Sequence, residues 1–412
     1  MLLSYGSSFF LLALAIVGNA DSCTWAQAED RNPEGLPICE KCVSWEDVLA
    51  PGIGFDIADS YGTAAIRYFN GSTENLAKVD GDEHYQAFIG KLAAGPPSPD
   101  CSMPKSLWEK FLCWRLGVQR KLNKSRGLPA THDVETLGTL FKTLRLAVDD
   151  KLGDGSCTRV LFAFFPVLPG LTLEDFHDAV EYAGLSHIDS PYGQDYVSEV
   201  SAAGAAMGYG ICRNFTDVYD CLNEENSLPW SQKLFLSFTD ASFTAVNTYS
   251  SNAFYIHWTS KQVHFDLGWG SFPVDAGEDM QRDYWQRLRD TIVQVGLECE
   301  ELPSTLLLVG EHASNPEFQE TLKEALQDMF SSHNGDVDNL RLTLEKDEGA
   351  LRPASIDYEF LVARGAAVFA KRSLEALNFC WEPPECDEDR GSLFLDLLNK
   401  GSAEQVVLDG AL

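Results

Sequence analysis

Gly54-Phe55-Asp56-Ile57-Ala58-Asp59-Ser60-Tyr61-Gly62-Thr63-Ala64-Ala65-Ile66-Arg67-Tyr68-Phe69 decides how this chain folds. Gly54 to Ile57 and Thr63 to Phe69 read as two short strands around a polar turn, and Asn70-Gly71 supplies the next hairpin turn. A related pattern returns in the second half. Asp59-Ser60-Tyr61-Gly62-Thr63-Ala64 is matched by Asp240-Ala241-Ser242-Phe243-Thr244-Ala245, each an Asp-x-x-x-Thr-Ala leaving a short strand. Repeated strand-turn-strand units point to an internal duplication.

The surrounding segments extend the duplication. Leu137, Leu140, Phe141, Leu144, Ala147 and Val148 recur at helical spacing from Glu135 and stop at Gly153. Val160 to Phe165 is a near-continuous apolar run, as in a strand covered on both faces, and Thr172-Leu173-Glu174-Asp175 opens a helix ending at Gly184. The small-residue stretch Glu199 to Gly210 lets a helix approach its neighbour closely. The second half repeats the plan: strands at Leu234 to Ser237, Phe243 to Tyr249 and Phe254 to Trp258, a helix from Asp279 to Val295, the strand Leu306 to Gly310, and a helix opened by Asn315-Pro316. A last helix spans Tyr358 to Lys371. The expected class is therefore α/β.

The chain has 412 residues, 62 Asp+Glu against 31 Lys+Arg, a net charge of −31 and 45% hydrophobic residues. That is globular material for two or three domains or one large two-lobed body. Its acidic field disfavours phosphate backbones, so no nucleic-acid partner is expected. Met1 to Ala20 carries no charged side chain, and its apolar run Phe9 to Val17 reads as a signal peptide cut near Ala20; a membrane anchor would need about twenty apolar residues. No later stretch is long enough to span, and a secreted or secretory-pathway location is expected. Asn70, Asn123 and Asn214 stand in glycosylation sequons.

The cysteine count of eleven is odd, which predicts at least one free or intermolecular thiol among disulfides. Candidates close in sequence are Cys39 and Cys42, Cys101 and Cys113, Cys212 and Cys221, and Cys380 and Cys386, the last closing an acidic loop from Glu382 to Asp389. Residues 21–50 read as an irregular Cys-containing segment and residues 94–106 as a loop. The eight histidines (His84, His132, His177, His187, His257, His264, His312 and His333) show no metal-ligand spacing and read as surface or hydrogen-bonded residues. Aromatic Phe254 to Trp258 reads as core strand or as the lining of a ligand groove. There is no Gly-x-Ser-x-Gly elbow or P-loop, though a hydrolase triad assembled from distant positions stays open.

Four segments resemble the actin-like ATPase superfamily, and within it the nucleotide-binding domain of the seventy-kilodalton heat-shock chaperones. Gly54 to Tyr61 is similar to that family's first phosphate turn. Asp178 to Leu185, with Glu199 to Ala203 and Gly208-Tyr209-Gly210, is similar to its connecting segment. Leu307-Leu308-Val309-Gly310 resembles its adenosine-side strand, and Ala363 to Val368 a late helix. The resemblance implies an α/β, two-lobed actin-like fold, a duplicated mixed-sheet domain with flanking helices: lobe I at 51–228, lobe II at 229–372 with a reduced adenine-side subdomain, and an acidic tail at 373–412 in place of the peptide-binding domain.

It also implies a nucleotide site, candidate ligand Mg-ATP, formed by Ala58, Asp59, Ser60, Tyr61, Thr239, Asp240, Ala241, Gly310 and Glu311. Asp56 would hold the metal, and Asp56 and Glu199 are the catalytic candidates. The departures weaken that chemistry. Ala58 replaces a glycine, Asp59 a threonine and Glu311 a glycine, while Ser237 to Ser242 lacks the second turn's carboxylate and its glycines. Two like charges about 4 Å apart repel by about 4 kcal/mol at an effective dielectric of about 20. Lys91 lies in the region of the family's catalytic lysine, in a loose alignment. The expected function is thus a degenerate pseudo-ATPase acting as a binding or scaffold protein with a protein or glycan partner. The alternatives are a working ATP-binding protein or slow ATPase, and a secreted hydrolase.

Overall fold

The computed structural model describes residues 36–95, 101, 106–166, 168–299, 301–332, 341–342, 357–377 and 380–386. The expected signal peptide and most of the acidic tail lie outside these residues. After a short helix α1 (Trp45–Leu49), the quoted stretch folds as β1 (Gly52–Ile57) and β2 (Tyr61–Arg67), and Asn70-Gly71 turns the chain into β3 (Thr73–Asp80). Gly71 takes a φ of 83°, the left-handed conformation a glycine adopts freely.

Helices α2 (Glu83–Ala94), α3 (Leu107–Ser125) and α4 (His132–Leu152) follow, then β4 (Arg159–Phe164), α5 (Leu173–Tyr182), β5 (Ser186–His187), β6 (Val197–Ser198), α6 (Glu199–Ala206) and α7 (Val218–Ser227). Side-chain oxygens of Thr131, Thr172 and Ser198 accept the first free backbone N–H groups of α4, α5 and α6, which fixes where each begins. The second half supplies β7 (Ser231–Phe238), β8 (Phe243–Ser250), β9 (His257–His264), α8 (Glu278–Gly296), β10 (Thr305–Val309), α9 (Pro316–Ser332), β11 (Arg341–Leu342) and α10 (Leu361–Glu375). Only residues 297–304 join α8 to β10.

The two sheets share one plan. In the first, β3-β2-β1 is an antiparallel meander and β1 pairs in parallel with β4, which pairs in parallel with β5 and β6. In the second, β9-β8-β7 is the meander, β7 pairs in parallel with β10, and β10 in parallel with β11. The molecule is thus an α/β protein of two mixed sheets with flanking helices.

Residue alternation along β1 divides its side chains between two buried faces. Ile53, Phe55 and Ile57 enter a core with Phe141, Phe162 and Phe176 under α4 and α5. The opposite face carries Gly52, Gly54 and then Asp56. A Cβ on Gly54 would lie 2.1 Å from the backbone nitrogen of Ala367, so the missing side chain is what lets α10 lie directly on the sheet. The small-residue helix α6 meets α10 equally closely, since a Cβ on Gly365 would lie 1.7 Å from the Ala202 carbonyl oxygen. Another core, with Leu236, Phe243, Leu288 and Phe318, sits between the second sheet and α8 and α9.

The disulfides correct the short-range pairing. Cys39 bonds Cys380 and Cys42 bonds Cys386, across 341 and 344 residues, so neither the Cys39–Cys42 pair nor a loop closed by Cys380 and Cys386 forms. Backbone pairing of Ile38 with Trp381 holds the two segments side by side and brings these cysteines together. Cys101–Cys113 and Cys212–Cys221 form as expected, Cys299 is also disulfide-bonded, and Cys157 is the free thiol among the described residues. Burial pushes the Cys157 thiol up to about 12, which keeps it protonated and unreactive. The expected strand at Phe254 to Trp258 starts only at His257; Phe254 is buried ahead of it, and Tyr255 and Trp258 are partly exposed. No described helix is long and apolar enough to cross a membrane. Asn70 and Asn214 are exposed, whereas the Asn123 amide donates to the Ala130 carbonyl.

Candidate functional site: two opposed turns joined by a carboxylate

The β1–β2 and β7–β8 hairpins have the same register. Ile57 pairs with Gly62 around residues 58–61, and Phe238 pairs with Phe243 around residues 239–242. The Ala58 N–H donates to the Tyr61 carbonyl at 3.0 Å, and the Thr239 N–H donates to the Ser242 carbonyl at 3.0 Å. Asp59 therefore corresponds to Asp240, Thr63 to Thr244 and Asp56 to Ser237, as the repeated Asp-x-x-x-Thr-Ala pattern implied.

Three carboxylates are enclosed on the side of the first sheet. Asp56, Asp59 and Glu199 are each at most 1% exposed. Neither Asp56 oxygen makes a hydrogen bond of ordinary geometry, and one oxygen each of Asp59 and Glu199 is likewise unpartnered. Burial, reinforced by the charge of Asp59, pushes Asp56 well above the usual carboxylate range, and the Thr63 hydroxyl opposes this only in part. Burial and the charges of Asp56 and Asp59 raise Glu199 in the same way. Asp59 rises to about 6, again mainly by burial, although Ser242 and Thr239 hydroxyls temper the shift. The Ser242 hydroxyl donates to Asp59, a bond from the second turn to the first.

Glu311 follows Gly310, whose φ of 107° and close approach to the Phe238 backbone (2.4 Å from a Cβ to its carbonyl oxygen) require glycine. That turn aims the Glu311 side chain between the hairpins. Its Oε1 accepts from the Ser60 hydroxyl at 2.9 Å and from the Asp240 backbone N–H at 2.9 Å, and its Oε2 from Lys78 Nζ at 2.9 Å. Burial alone would raise this carboxyl, but the bonds from Lys78, Asp240 and Ser60 outweigh it and hold Glu311 below its ordinary value. Glu311 is ionised at neutral pH. Lys78, on β3, also pairs with Glu359 at 2.6 Å and Asp80 at 3.1 Å, and its ammonium lies 5.2 Å from the Tyr61 ring centroid. Partial burial lowers the lysine's affinity for its proton, but the three carboxylates more than reverse that.

A carboxylate receiving a hydroxyl, a backbone N–H and an ammonium has the donor set that phosphate oxygens draw from a turn. The remaining candidates frame it. Ala58 is buried, with its carbonyl accepting from Tyr85 at 2.6 Å. Thr239 and Asp240 carbonyls accept from the Trp269 and Gly270 N–H groups at 2.9 and 3.0 Å, which ties the second turn down from behind. Ala241 lies partly exposed between these anchored residues. Asp240 itself faces out, with its side chain 46% exposed and 3.8 Å from His312. Burial holds the His312 imidazole below its usual range, so at pH 7 it is neutral.

Lys91 does not join the site: it lies on α2, two-thirds exposed, and pairs with Asp133 at 3.3 Å. Lys78 was not legible in the sequence, where it is one lysine in an exposed-looking strand. Strand alternation alone gives no signal that it meets a glutamate 233 residues away. Asp56, Asp59 and Glu199 offer the hard oxygen donors that suit Mg2+, and their unpartnered oxygens are what a hydrated cation would satisfy. No family model and no curated protein sequence matches the chain.

Proposed function

We propose that this chain is a divergent relative of the actin-like ATPases, nearest in pattern to the chaperone nucleotide-binding domain. Its own Glu311 carboxylate takes the place of a nucleotide phosphate, and the protein acts in the secretory route as a binding or scaffold protein. The shared strand order of the two sheets and the matched hairpin registers support the fold assignment. The observation that carries the functional reading is the Glu311 bridge from Ser60 and Lys78 to the Asp240 N–H. An incoming phosphate would have to displace this internal anion and sit near the buried Asp59. Four disulfides among the described residues, including the long-range Cys39–Cys380 and Cys42–Cys386 links, are compatible with an oxidising compartment.

Melting the mature protein with and without millimolar Mg-ATP or Mg-ADP tests the reading, because a ligand that binds the native state raises the melting temperature. No shift is expected; a shift of several degrees that saturates at micromolar nucleotide would overturn it. A second reading, a slow ATPase, draws on the unpartnered oxygens of Asp56 and Glu199. On that reading Mg-nucleotide satisfies these oxygens once Glu311 swings aside, and Asp56→Ala abolishes turnover.

A further inference from the structure

We propose that His177, His187 and Asp195 form a transition-metal site on the outside of the first sheet, separate from the two turns. His177 lies on α5, His187 ends β5, and Asp195 precedes β6, so three elements converge. Both imidazoles turn Nε2 toward the same Asp195 oxygen, at 2.7 Å from His177 and 3.5 Å from His187. The two rings stack with centroids 5.1 Å apart and 22° between planes. All three ligand atoms lie within 4.8 Å of one another.

Those separations fit a metal. Zinc binds imidazole nitrogen at about 2.0 to 2.1 Å and carboxylate oxygen at about 2.0 to 2.2 Å, which in a tetrahedron separates ligand atoms by about 3.4 Å. The His177–Asp195 pair needs to open slightly, and the His187–Asp195 pair is already at that spacing. Neutral imidazoles offer Nε2 lone pairs once their protons sit on Nδ1. The rings are also held in place. His177 and His187 pack against Phe176, with centroids at 5.5 and 5.7 Å, and Phe176 is fully buried in the core. A partly exposed rim completes the site: the His177 side chain is 46% exposed, and Asp189, 3.1 Å from His187, can supply a fourth oxygen or hold a bound water.

Donor type sets the selectivity. Two imidazoles with one carboxylate favour zinc, copper or nickel over calcium or magnesium, which choose all-oxygen sites. This matters in a chain of net charge −31, whose acidic surface attracts any cation weakly. The sequence hides the site because the histidines are ten residues apart, outside helical or strand spacing, and come together only through β5 returning beside α5.

The test is titration of zinc into the chelator-treated mature protein, with cobalt(II) as a spectroscopic probe. One zinc per chain at low micromolar strength or tighter is expected, unaffected by millimolar magnesium, with cobalt giving the visible absorption of a four-coordinate site. His187→Ala and Asp195→Asn should each weaken zinc at least tenfold and abolish the cobalt band, with the near-ultraviolet circular dichroism of the apo-protein unchanged. His84→Ala, in an edge-to-face histidine pair (ring centroids 6.5 Å from His132), should leave both readouts as they are. Absence of stoichiometric zinc, competition by magnesium, or equal affinity in His187→Ala and Asp195→Asn would overturn the proposal. His177→Gln, at a half-exposed position where folding is not at stake, gives an independent measure of the same loss.

Discussion

The two hairpin turns occupy equivalent places in equivalent sheets, yet they treat charge in opposite ways. In the first, Asp56 and Asp59 are sealed from water and their carboxyls are pushed upward. In the second, the position of Asp56 is held by Ser237, and Asp240, the counterpart of Asp59, faces solvent. The first turn thus encloses acidic groups, and the second exposes the one it carries. The difference teaches that the joint between the turns is internal: Glu311, held by Lys78, Ser60 and the Asp240 N–H, supplies the anion that links them.

The comparison breaks most severely if the missing carboxylate is restored. Ser237 is 2% exposed, and no cation among the described residues pairs with it. Ser237→Asp should therefore cost about 3 to 5 kcal/mol by chemical denaturation, the size of an uncompensated buried charge. Removing the joint comes next. Glu311→Ala deletes acceptors for Ser60, Lys78 and the Asp240 N–H, and should cost about 3 kcal/mol, as charge-assisted hydrogen bonds do. An effect under about 0.5 kcal/mol would mean the bridge holds nothing.

Titration sharpens the contrast further. Asp59 carries a folded value of about 6 against an ordinary value of 3.8, so between those limits the folded chain binds more protons than the unfolded one. Stability from this group falls as pH rises from about 4 to about 6, and the deficit is complete above that, at roughly 3 kcal/mol. Asp59→Asn should remove that slope and gain stability at pH 7 relative to pH 4. A parallel pair of profiles for the variant and the native chain would contradict the burial of Asp59. The smallest effect belongs to the exposed counterpart: Asp240→Asn should change stability by less than about 0.5 kcal/mol.

Much of the scaffold was legible in the sequence because each element obeys one period. The hairpin at residue 54, the one-sided helix from Glu135 and the apolar strands at Val160 and Leu306 all appear where their patterns put them. Helix α3 differs: Leu107, Phe111, Trp114, Val118 and Leu122 recur at helical spacing, but the stripe stays exposed and only Arg120 is buried, so its period marks no core face. Arg120 instead ties α3 to α5 through Asp175 and Asp178, a contact invisible to hydrophobic periodicity.

The site divides along the same line. Asp56, Asp59, Ser60 and Glu199 could be named from the family resemblance, because its motifs are short local segments. Glu311 could be named only as an obstruction; its role depends on Lys78 and Ser60, which arrive from the other half of the chain. The Cys39–Cys42 and Cys380–Cys386 pairings failed for the same reason, as nearest cysteines in sequence are not nearest once the two ends pair at Ile38 and Trp381, whereas the local Cys101–Cys113 and Cys212–Cys221 pairs form.

Calorimetric titration of Mg-ATP into the disulfide-bonded protein tests the central claim most directly. With Glu311 holding the donors of both turns, no binding heat is expected up to millimolar nucleotide. Saturable binding at micromolar concentration would contradict the account and return the protein to the working ATPases.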